Sequence, residues 1–264
     1  MKVITLLNEK GGVGKTTLAT HVAAGLAIRG SRVILVDADS QGHATVALGI
    51  HKSPAVYDLF VRDAPFRDTL RLVSTEVYEH PAYPSEGALY IVPGNVETRN
   101  IANSISDAFT ISQKLEELGD SVDYVVFDTS PTPSLLHGSI YLATHTILYP
   151  TKCEYLSFDG LVESMKHRQQ AEAHRAKWRL PPIQTLGIIP TMFRAQTLEH
   201  LENLQALRQR YGDDVFTPIP QRTIWTEATR VHRTVWNFAP ESKSAKEFDQ
   251  LMLRLIGRLE NVQA

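Results

Sequence analysis

The sequence contains a single cysteine, Cys153, among 264 residues. One thiol cannot form a disulfide framework, a four-cysteine zinc site or a metal cluster held within one chain. We therefore expect no metal or redox chemistry from cysteine, and we interpret Cys153 as a small buried hydrophobic side chain.

Long apolar runs and a strong charge of either sign are also missing. No run approaches the roughly 20 apolar residues that a membrane-spanning helix needs. Lysine and arginine number 27 and aspartate and glutamate 29, which leaves a formal charge of −2. Because no overall field attracts this chain to nucleic acid, any such binding must come from a local basic patch. We expect a cytoplasmic enzyme without a membrane partner.

Short runs of branched apolar residues alternate with helical patterns along most of the chain, which is typical of parallel βαβ units. We predict an α/β fold in which a mostly parallel central sheet carries helices on both faces. The predicted strands are 3–7, 32–36, 89–92, 123–128, 146–150 and 184–189, with a further strand or extended segment at 215–220. The predicted helices are 18–28, 97–118, 158–178, 197–211 and 244–259, with one more that Pro133 opens. No linker or repeat divides the pattern, so residues 1–264 are predicted to form a single domain.

Two stretches call for separate interpretation. Residues 50–87 contain four prolines between short apolar pieces and are expected to form peripheral helices and loops. The predicted helix 244–259 carries an apolar face made of Phe248, Leu251, Leu255 and Leu259. This face could bind a membrane surface or cover the domain, and the lack of a basic polar face favours the covering role.

A glycine-rich loop follows the first predicted strand. Glycines at 11, 12 and 14 free the backbone so that successive N–H groups can face an anion. Lys15 adds a positive charge, the Thr16 hydroxyl can bind Mg²⁺, and the positive end of the next helix faces the same phosphates. The predicted nucleotide-binding residues are Lys10, Gly11, Gly12, Val13, Gly14, Lys15, Thr16 and Thr17.

The loop KGGVGKTT, residues 10–17, departs from the general P-loop template because Glu9 stands at the position of its first glycine. It resembles the deviant Walker-A loop of the ParA/MinD family of P-loop ATPases, and is most similar to the ParA/Soj-like partition branch. The resemblance implies binding of ATP with Mg²⁺, and a catalytic role for Lys15 at the terminal phosphates. It also implies that Lys10 reaches across a homodimer interface to the partner's nucleotide, so that ATP is clamped between two subunits.

Carboxylates follow two of the predicted strands. Asp37 and Asp39 end strand 32–36, and Asp128 ends strand 123–128, at the sheet edge where the phosphate loop is expected. Phosphoryl transfer needs a metal and a group that positions the attacking water. We assign the metal to Thr16 directly and to Asp128 through a water molecule, and we assign the orientation of the attacking water to Asp39.

Several other segments are similar to the same family. Residues 37–45, DADSQGHAT, resemble its first switch, with Ser40 in place of the usual proline and His43 in place of the usual asparagine. Residues 128–131 resemble its second switch, and residues 153–161 its C-E-Y-x-x-x-x-G-L segment. The loops near 192 and 218 fall where the adenine-facing loops of the family lie. The implied adenine contacts are Met192, Pro218 and Pro220.

The family resemblance implies an ATP-switched ATPase for partition or positioning of a plasmid or chromosome. Such a protein binds DNA nonspecifically as an ATP dimer and is reset by a ParB-like or other activating partner. Three alternatives remain open: a positioning ATPase for a protein cargo, a MinD-like regulator at a membrane surface, and a small-molecule ligase or kinase on the same fold. An electron-transfer ATPase like the nitrogenase iron protein is excluded, since it needs two cluster cysteines per subunit.

The basic patch for DNA is only partly recognisable. Two positions at which DNA-coating relatives often carry arginine are occupied by Gln196 and Ile224. The candidate replacements are Arg194, Arg222, Arg230 and Arg233. Dimerisation would double this patch, and we expect a protein that associates with the nucleoid in its ATP state.

Overall fold

A computed structural model describes residues 1–262 of the chain. The strands of the described residues are β1 (Lys2–Leu6), β2 (Arg32–Ala38), β3 (Arg71–Leu72), β4 (Ala88–Val92), β5 (Tyr124–Thr129), β6 (Thr146–Lys152) and β7 (Gln184–Thr191). They form one sheet in the order β3-β4-β2-β5-β1-β6-β7. Neighbouring strands are parallel except β3 and β4, which are antiparallel. The predicted mostly parallel α/β fold is confirmed, and the two-residue edge strand β3 is a strand that the sequence pattern does not indicate.

Helices connect the strands and flank the sheet. The α-helices of the described residues are α1 (Lys15–Ile28), α2 (His43–Ala47), α3 (Ala55–Phe60), α4 (Phe66–Thr69), α5 (Thr75–Tyr78), α6 (Ile101–Ser104), α7 (Thr110–Glu116), α8 (Leu135–Ala143), α9 (Tyr155–Lys177), α10 (Leu198–Tyr211), α11 (Ile224–Arg230), α12 (Val235–Phe238) and α13 (Lys243–Glu260). Short 3₁₀ turns cover Val96–Asn100, Gly119–Ser121 and Gly212–Asp214. Residues 50–87 form the short helices α3 to α5 and the strand β3, in keeping with their prolines.

The predicted helix over 97–118 is divided into a 3₁₀ turn and the helices α6 and α7. The break lies at Asp107, whose carboxylate accepts a hydrogen bond from the Phe109 N–H at 2.9 Å. Aspartate often forms such a local turn in place of a helical turn. A single continuous helix is therefore the wrong interpretation of this segment.

The predicted start of the helix after β5 is also corrected, because α8 begins at Leu135, two residues after Pro133. The His137 ring contacts the Ser134 hydroxyl and the Ser130 carbonyl, each at 3.1 Å, and so ties the loop before the helix to its first turn. Further along the chain, segment 215–220 stays extended and makes two isolated bridges, from Val215 to Ile188 within β7 and from Pro220 to Phe193 beyond it.

Apolar side chains cover both faces of the sheet. One cluster packs α1 and α13 against one face, and a second packs α3, α7 and α8 against the other. The central strands read as continuous apolar runs because both of their faces are buried. A third cluster fills the space between β6, β7, α9 and α10, and it contains the fully buried Cys153, as expected.

The apolar face of α13 lies inside the molecule. Its buried residues include Phe248, Leu251, Leu255 and Leu259. At Gly25 of α1, a β-carbon would lie 2.8 Å from the Trp236 side chain and 2.9 Å from that of Met252, so glycine permits this close packing. The covering role of α13 is confirmed. Across residues 1–262 we find no helix with the length and apolar character that a membrane crossing requires.

Candidate functional site

The carboxyl ends of three central strands meet at one edge of the sheet. The strand pairing places Asp128 of β5 opposite both Asp37 of β2 and Leu6 of β1. The phosphate loop continues from β1, and the first switch, residues 37–45, spans the end of β2 and the turn after it, so both lie beside Asp128. In open α/β sheets, ligands bind in the crevice outside the carboxyl ends of the strands.

The phosphate loop has the backbone that an anion cradle requires. Gly12 and Gly14 have φ of +70° and +87°, in the left-handed region that favours glycine. Gly14 is the N-cap of α1, which therefore begins at Lys15, three residues before the predicted start. The Thr191 hydroxyl at the end of β7 donates to the Val13 carbonyl at 2.8 Å and fixes the loop from the opposite side.

Lys15 is buried inside the loop, with 7% of its surface exposed. Its ammonium group donates to the carbonyl oxygens of Asn8 at 2.6 Å and of Lys10 at 3.1 Å. Burial lowers the pKa of Lys15, while the negative charges of Asp128, Asp39 and Glu9 act in the opposite direction. The structure thus places a cation at the centre of the loop, with carboxylates around it.

Asp37 and Asp128 form a buried pair of carboxylates on adjacent strands. Burial raises the pKa of Asp128 well above its usual range, and the neighbouring charge of Asp37 adds to the effect. Burial also raises the pKa of Asp37, to about 6, although its Oδ2 accepts hydrogen bonds from the Thr45 N–H at 2.7 Å and hydroxyl at 2.6 Å. A site of this kind favours binding of a compensating cation.

The pair has oxygens to offer to a metal. Within residues 1–262, both carboxylate oxygens of Asp128 lack a hydrogen-bond partner, and so does the Oδ1 of Asp37. The Thr16 hydroxyl lies beside Asp128 and opposes the rise in its pKa. Mg²⁺ takes oxygen ligands, commonly one or two carboxylates together with water and substrate phosphates. The described residues contain no group of three His, Cys, Asp or Glu side chains that could hold a metal by themselves. The donor set therefore fits Mg²⁺ accompanied by phosphate.

Asp39 lies at the tip of the first switch and is half-buried. Its Oδ1 accepts a hydrogen bond from the Gln41 N–H at 2.9 Å. The turn packs on Gly94, where a β-carbon would lie 2.3 Å from the Asp37 carbonyl, and the Gly94 N–H donates to the Thr45 hydroxyl at 3.0 Å. Thr45 and Gly94 support this turn and were not predicted to do so from the sequence. The Pro93-Gly94 turn after β4 was the one pattern that could have indicated Gly94.

A cavity of about 720 Å³ adjoins the phosphate loop. Its wall includes Gly14, Thr17, Met192, Pro220, Trp225 and Thr226. Two of the three predicted adenine contacts are thus placed at the cavity, and Met192 has an unusual φ of +50° there. Pro218 does not line this cavity; it lines a smaller one of about 70 Å³ that shares Ile219 and Trp225 with it. Helix α11, which the sequence pattern did not indicate, supplies much of the wall.

Lys10 differs from Lys15 in its surroundings. Its side chain is exposed, and its ammonium group has no partner within residues 1–262. Its backbone N–H donates to the Asn8 side-chain oxygen at 2.8 Å. The two lysines of the loop are therefore directed to different places, one inward and one to the surface. His43, at the start of α2, is exposed as well.

The arginines assigned to DNA have different surroundings. Arg194 is exposed and donates to the Gln221 side chain, while Arg230 and Arg233 are exposed without an ion pair in the described part of the chain. Arg222 binds Glu247, with 2.9 Å between Nη2 and Oε1, and both Arg222 and Arg230 line the cavity. The structure does not bring Arg222 into the exposed set, because its charge is offset by Glu247.

Known proteins resemble this chain along most of its length. A family model described as an AAA domain matches residues 1–178. The chromosome-partitioning ATPase Soj of Thermus thermophilus is 30% identical over 259 residues, covering 97% of this chain and 96% of that protein. The sporulation initiation inhibitor protein Soj of Bacillus subtilis is 28% identical over 255 residues, covering 94% of this chain and 95% of that protein.

Solved structures show the same fold. The septum site-determining protein MinD of Pyrococcus horikoshii, complexed with Mg-ADP, superposes with a TM-score of 0.74 at 21% identity, covering 95% of this chain and 94% of that chain. The family model and the Soj relatives show the family: the chain belongs to the ParA/MinD family of ATPases.

Proposed function

We propose that this chain is a positioning ATPase of the ParA type, which binds ATP with Mg²⁺, dimerises around it and is reset by hydrolysis. The observation that carries the proposal is the pair of lysines in one loop, with Lys15 buried among carboxylates and Lys10 exposed. A single sheet with continuous cores supports the view that the whole chain acts as one domain.

Four side chains have distinct roles in this proposal. Lys15 and the loop N–H groups bind the terminal phosphates. Thr16 binds Mg²⁺ directly and Asp128 binds it through water, which compensates the buried charge of the carboxylate pair. Asp39 orients the attacking water from the tip of the first switch. Bound Mg²⁺ would neutralise the charge that develops on the phosphate oxygens.

The cavity beside the loop suits a nucleotide base. Its wall is mainly apolar, and it lies next to Gly14 and Thr17, at the N-terminal end of α1. Met192 and Pro220 are proposed adenine contacts, and Trp225 and Thr226 of α11 join them. Apolar walls with a few polar groups are typical of cofactor and nucleotide sites.

The proposed cargo is DNA, since the Thermus relative is a chromosome-partitioning ATPase. Arg194, Arg230 and Arg233 supply basic side chains on the surface, and a dimer doubles their number. In this proposal the ATP dimer binds DNA without sequence preference in the cytoplasm, associates with the nucleoid, and releases it when a ParB-like partner stimulates hydrolysis.

The two lysines can be tested separately. Lys15→Ala is expected to abolish ATP and ADP binding, because it removes the cation inside the phosphate loop. Lys10→Ala is expected to leave the affinity for ADP within about threefold, about 0.6 kcal/mol, and to remove the ATP-dependent dimer. Fluorescent nucleotide titration measures the first property and light scattering the second.

Lys177→Ala is a matched control, because Lys177 is an exposed lysine at the far end of α9. This variant should bind nucleotide and dimerise like the unchanged protein. An ATP dimer of unchanged stability in the Lys10 variant would show that the lysine does not act across the interface.

A further inference from the structure

Helix α9 holds the segment that leads into Lys10. Gly160, Ser164 and His167 follow one another at intervals of four and three residues, so they lie on one face of the helix. All three lie against residues 8–10, where the chain enters the phosphate loop. A loop end that is fixed to a long helix cannot move independently of that helix.

The contacts are of three kinds. The Ser164 hydroxyl accepts a hydrogen bond from the Glu9 N–H at 3.0 Å and donates to the Gly160 carbonyl at 2.6 Å. The His167 ring binds the Glu9 carboxylate through Nδ1. A β-carbon at position 160 would lie 2.8 Å from the Lys10 Cβ and 3.0 Å from its nitrogen, so the helix backbone and the loop touch there.

Lys10 consequently has a fixed backbone and a free side chain. Its N–H is bound by Asn8 and its carbonyl by Lys15, while the residue before it is bound to α9 at two points. Its ammonium group has no partner within the described chain. Fixing a binding group before the encounter reduces the ordering entropy that association must overcome.

We propose that the Glu9–His167 pair is a positioning device for Lys10 and determines how tightly the ATP dimer forms. This inference rests on the proposed function. Neither side chain touches reacting atoms, so both are positioning residues. Glu9 stands where the general P-loop template has a glycine, and the pair accounts for a side chain at that position.

A double-mutant cycle on the full chain tests the pair. The variants are Glu9→Ala, His167→Ala and their combination, and the measured quantity is the dimer dissociation constant with a non-hydrolysable ATP analogue, by analytical ultracentrifugation. The side chains are 16% and 37% exposed. Each single variant is expected to weaken the dimer about tenfold, because Lys10 would then have to be ordered during association. The double variant should be no weaker than either single variant, because the same contact is lost.

Other readouts separate positioning from general damage. His167→Ala should bind ADP as the unchanged monomer does and unfold at the same temperature within about 2 °C. His174→Ala is the matched control, since His174 is exposed on the same helix one heptad further on. Glu9→His combined with His167→Glu restores the pair in reverse order and should recover most of the dimer that Glu9→His alone loses.

Gly160→Ala tests the neighbouring contact between α9 and the Lys10 backbone, without changing any charge near the phosphates. It should weaken the dimer and leave ADP binding intact. If the unchanged protein dimerises and the effects of Glu9→Ala and His167→Ala are simply additive, or His167→Ala dimerises normally, the inference is overturned while the proposed function stands. If the unchanged protein forms no ATP dimer, the proposed function fails, and this inference with it.

Discussion

At the scale of single residues, the sequence indicates the charged groups of the site better than their supports. Asp39 and Asp128 follow apolar strands, and parallel strands bring their carboxyl ends together, so the pattern alone predicts their neighbourhood. Thr45 and Gly94 were not predicted. Their contact joins residues 49 positions apart in the chain, and no local pattern encodes which loop packs on which.

Asp39 carries a prediction at this scale. Asp39→Ala is expected to reduce ATP turnover by about 100-fold or more, the scale of a positioned catalytic group, while ATP binding is retained. Phosphate release under steady-state conditions measures the turnover. Asp39→Asn is the matched variant, because its side-chain oxygen can still accept from the Gln41 N–H while the charge is removed. Unchanged turnover in both variants would assign the positioning of water to another group.

At the scale of elements, continuous apolar runs make the strands predictable, whereas the helices α11 and α12 were missed. Helix α11 is seven residues long and α12 is four. Such short helices show too few turns for periodicity to be visible. Their placement depends on tertiary contacts, above all with His21 of α1, which is buried against Trp225, Trp236 and Phe248.

His21 connects α1 to α12 as a neutral side chain. Its Nδ1 lies 2.7 Å from the Thr17 carbonyl and so carries the proton, and its Nε2 accepts from the Val235 N–H at 3.0 Å. Burial lowers the pKa of His21 to about 4. A protonated ring would place two N–H groups against each other, so the folded state resists protonation.

This contact predicts a pH dependence of stability. The pKa of His21 is about 6.5 in the unfolded chain and about 4 in the folded one. Between these values the unfolded state binds more protons, so the stabilisation is lost as the pH falls from about 6.5 towards 4. Between pH 7.5 and pH 5 the free energy of unfolding should fall by about 2 kcal/mol from this group.

Urea unfolding at the two pH values measures the effect. In His21→Gln the free energy of unfolding should fall by about 2 kcal/mol less between the two pH values than in the unchanged protein. The variant should be less stable than the unchanged protein at both pH values. His174→Gln, at an exposed position of α9, should keep the full pH dependence. The same fall in all three proteins would show that other groups cause it.

At the scale of the whole molecule, a formal charge of −2 leaves DNA binding to a local surface. Neutralised phosphates contribute additively and steepen the dependence on salt. We expect the Asp39→Ala protein with ATP to bind DNA of any sequence at low salt and to release it at moderate salt. Arg194→Ala and Arg233→Ala should each weaken binding about equally on all sequences and lower the salt slope by about one.

Arg222→Ala is the matched comparison, since the bond to Glu247 already offsets its charge. The Arg222→Ala substitution should change the salt slope less than Arg194→Ala or Arg233→Ala does. Fluorescence anisotropy over a range of salt concentrations measures these slopes. If the ATP-bound dimer binds no DNA at low salt, a protein cargo becomes the better assignment for the same switch.

The contact at Gly94 has a consequence for ATP turnover. Any β-carbon at position 94 would lie 2.3 Å from the Asp37 carbonyl and 3.2 Å from that of Asp39. A substitution there would displace the turn that carries Asp39, the carboxylate proposed to orient the attacking water, although residue 94 has no side chain to touch a substrate. Substitutions at position 94 are therefore expected to impair turnover in the way that substitutions in the first switch itself do, without any contact to the substrate.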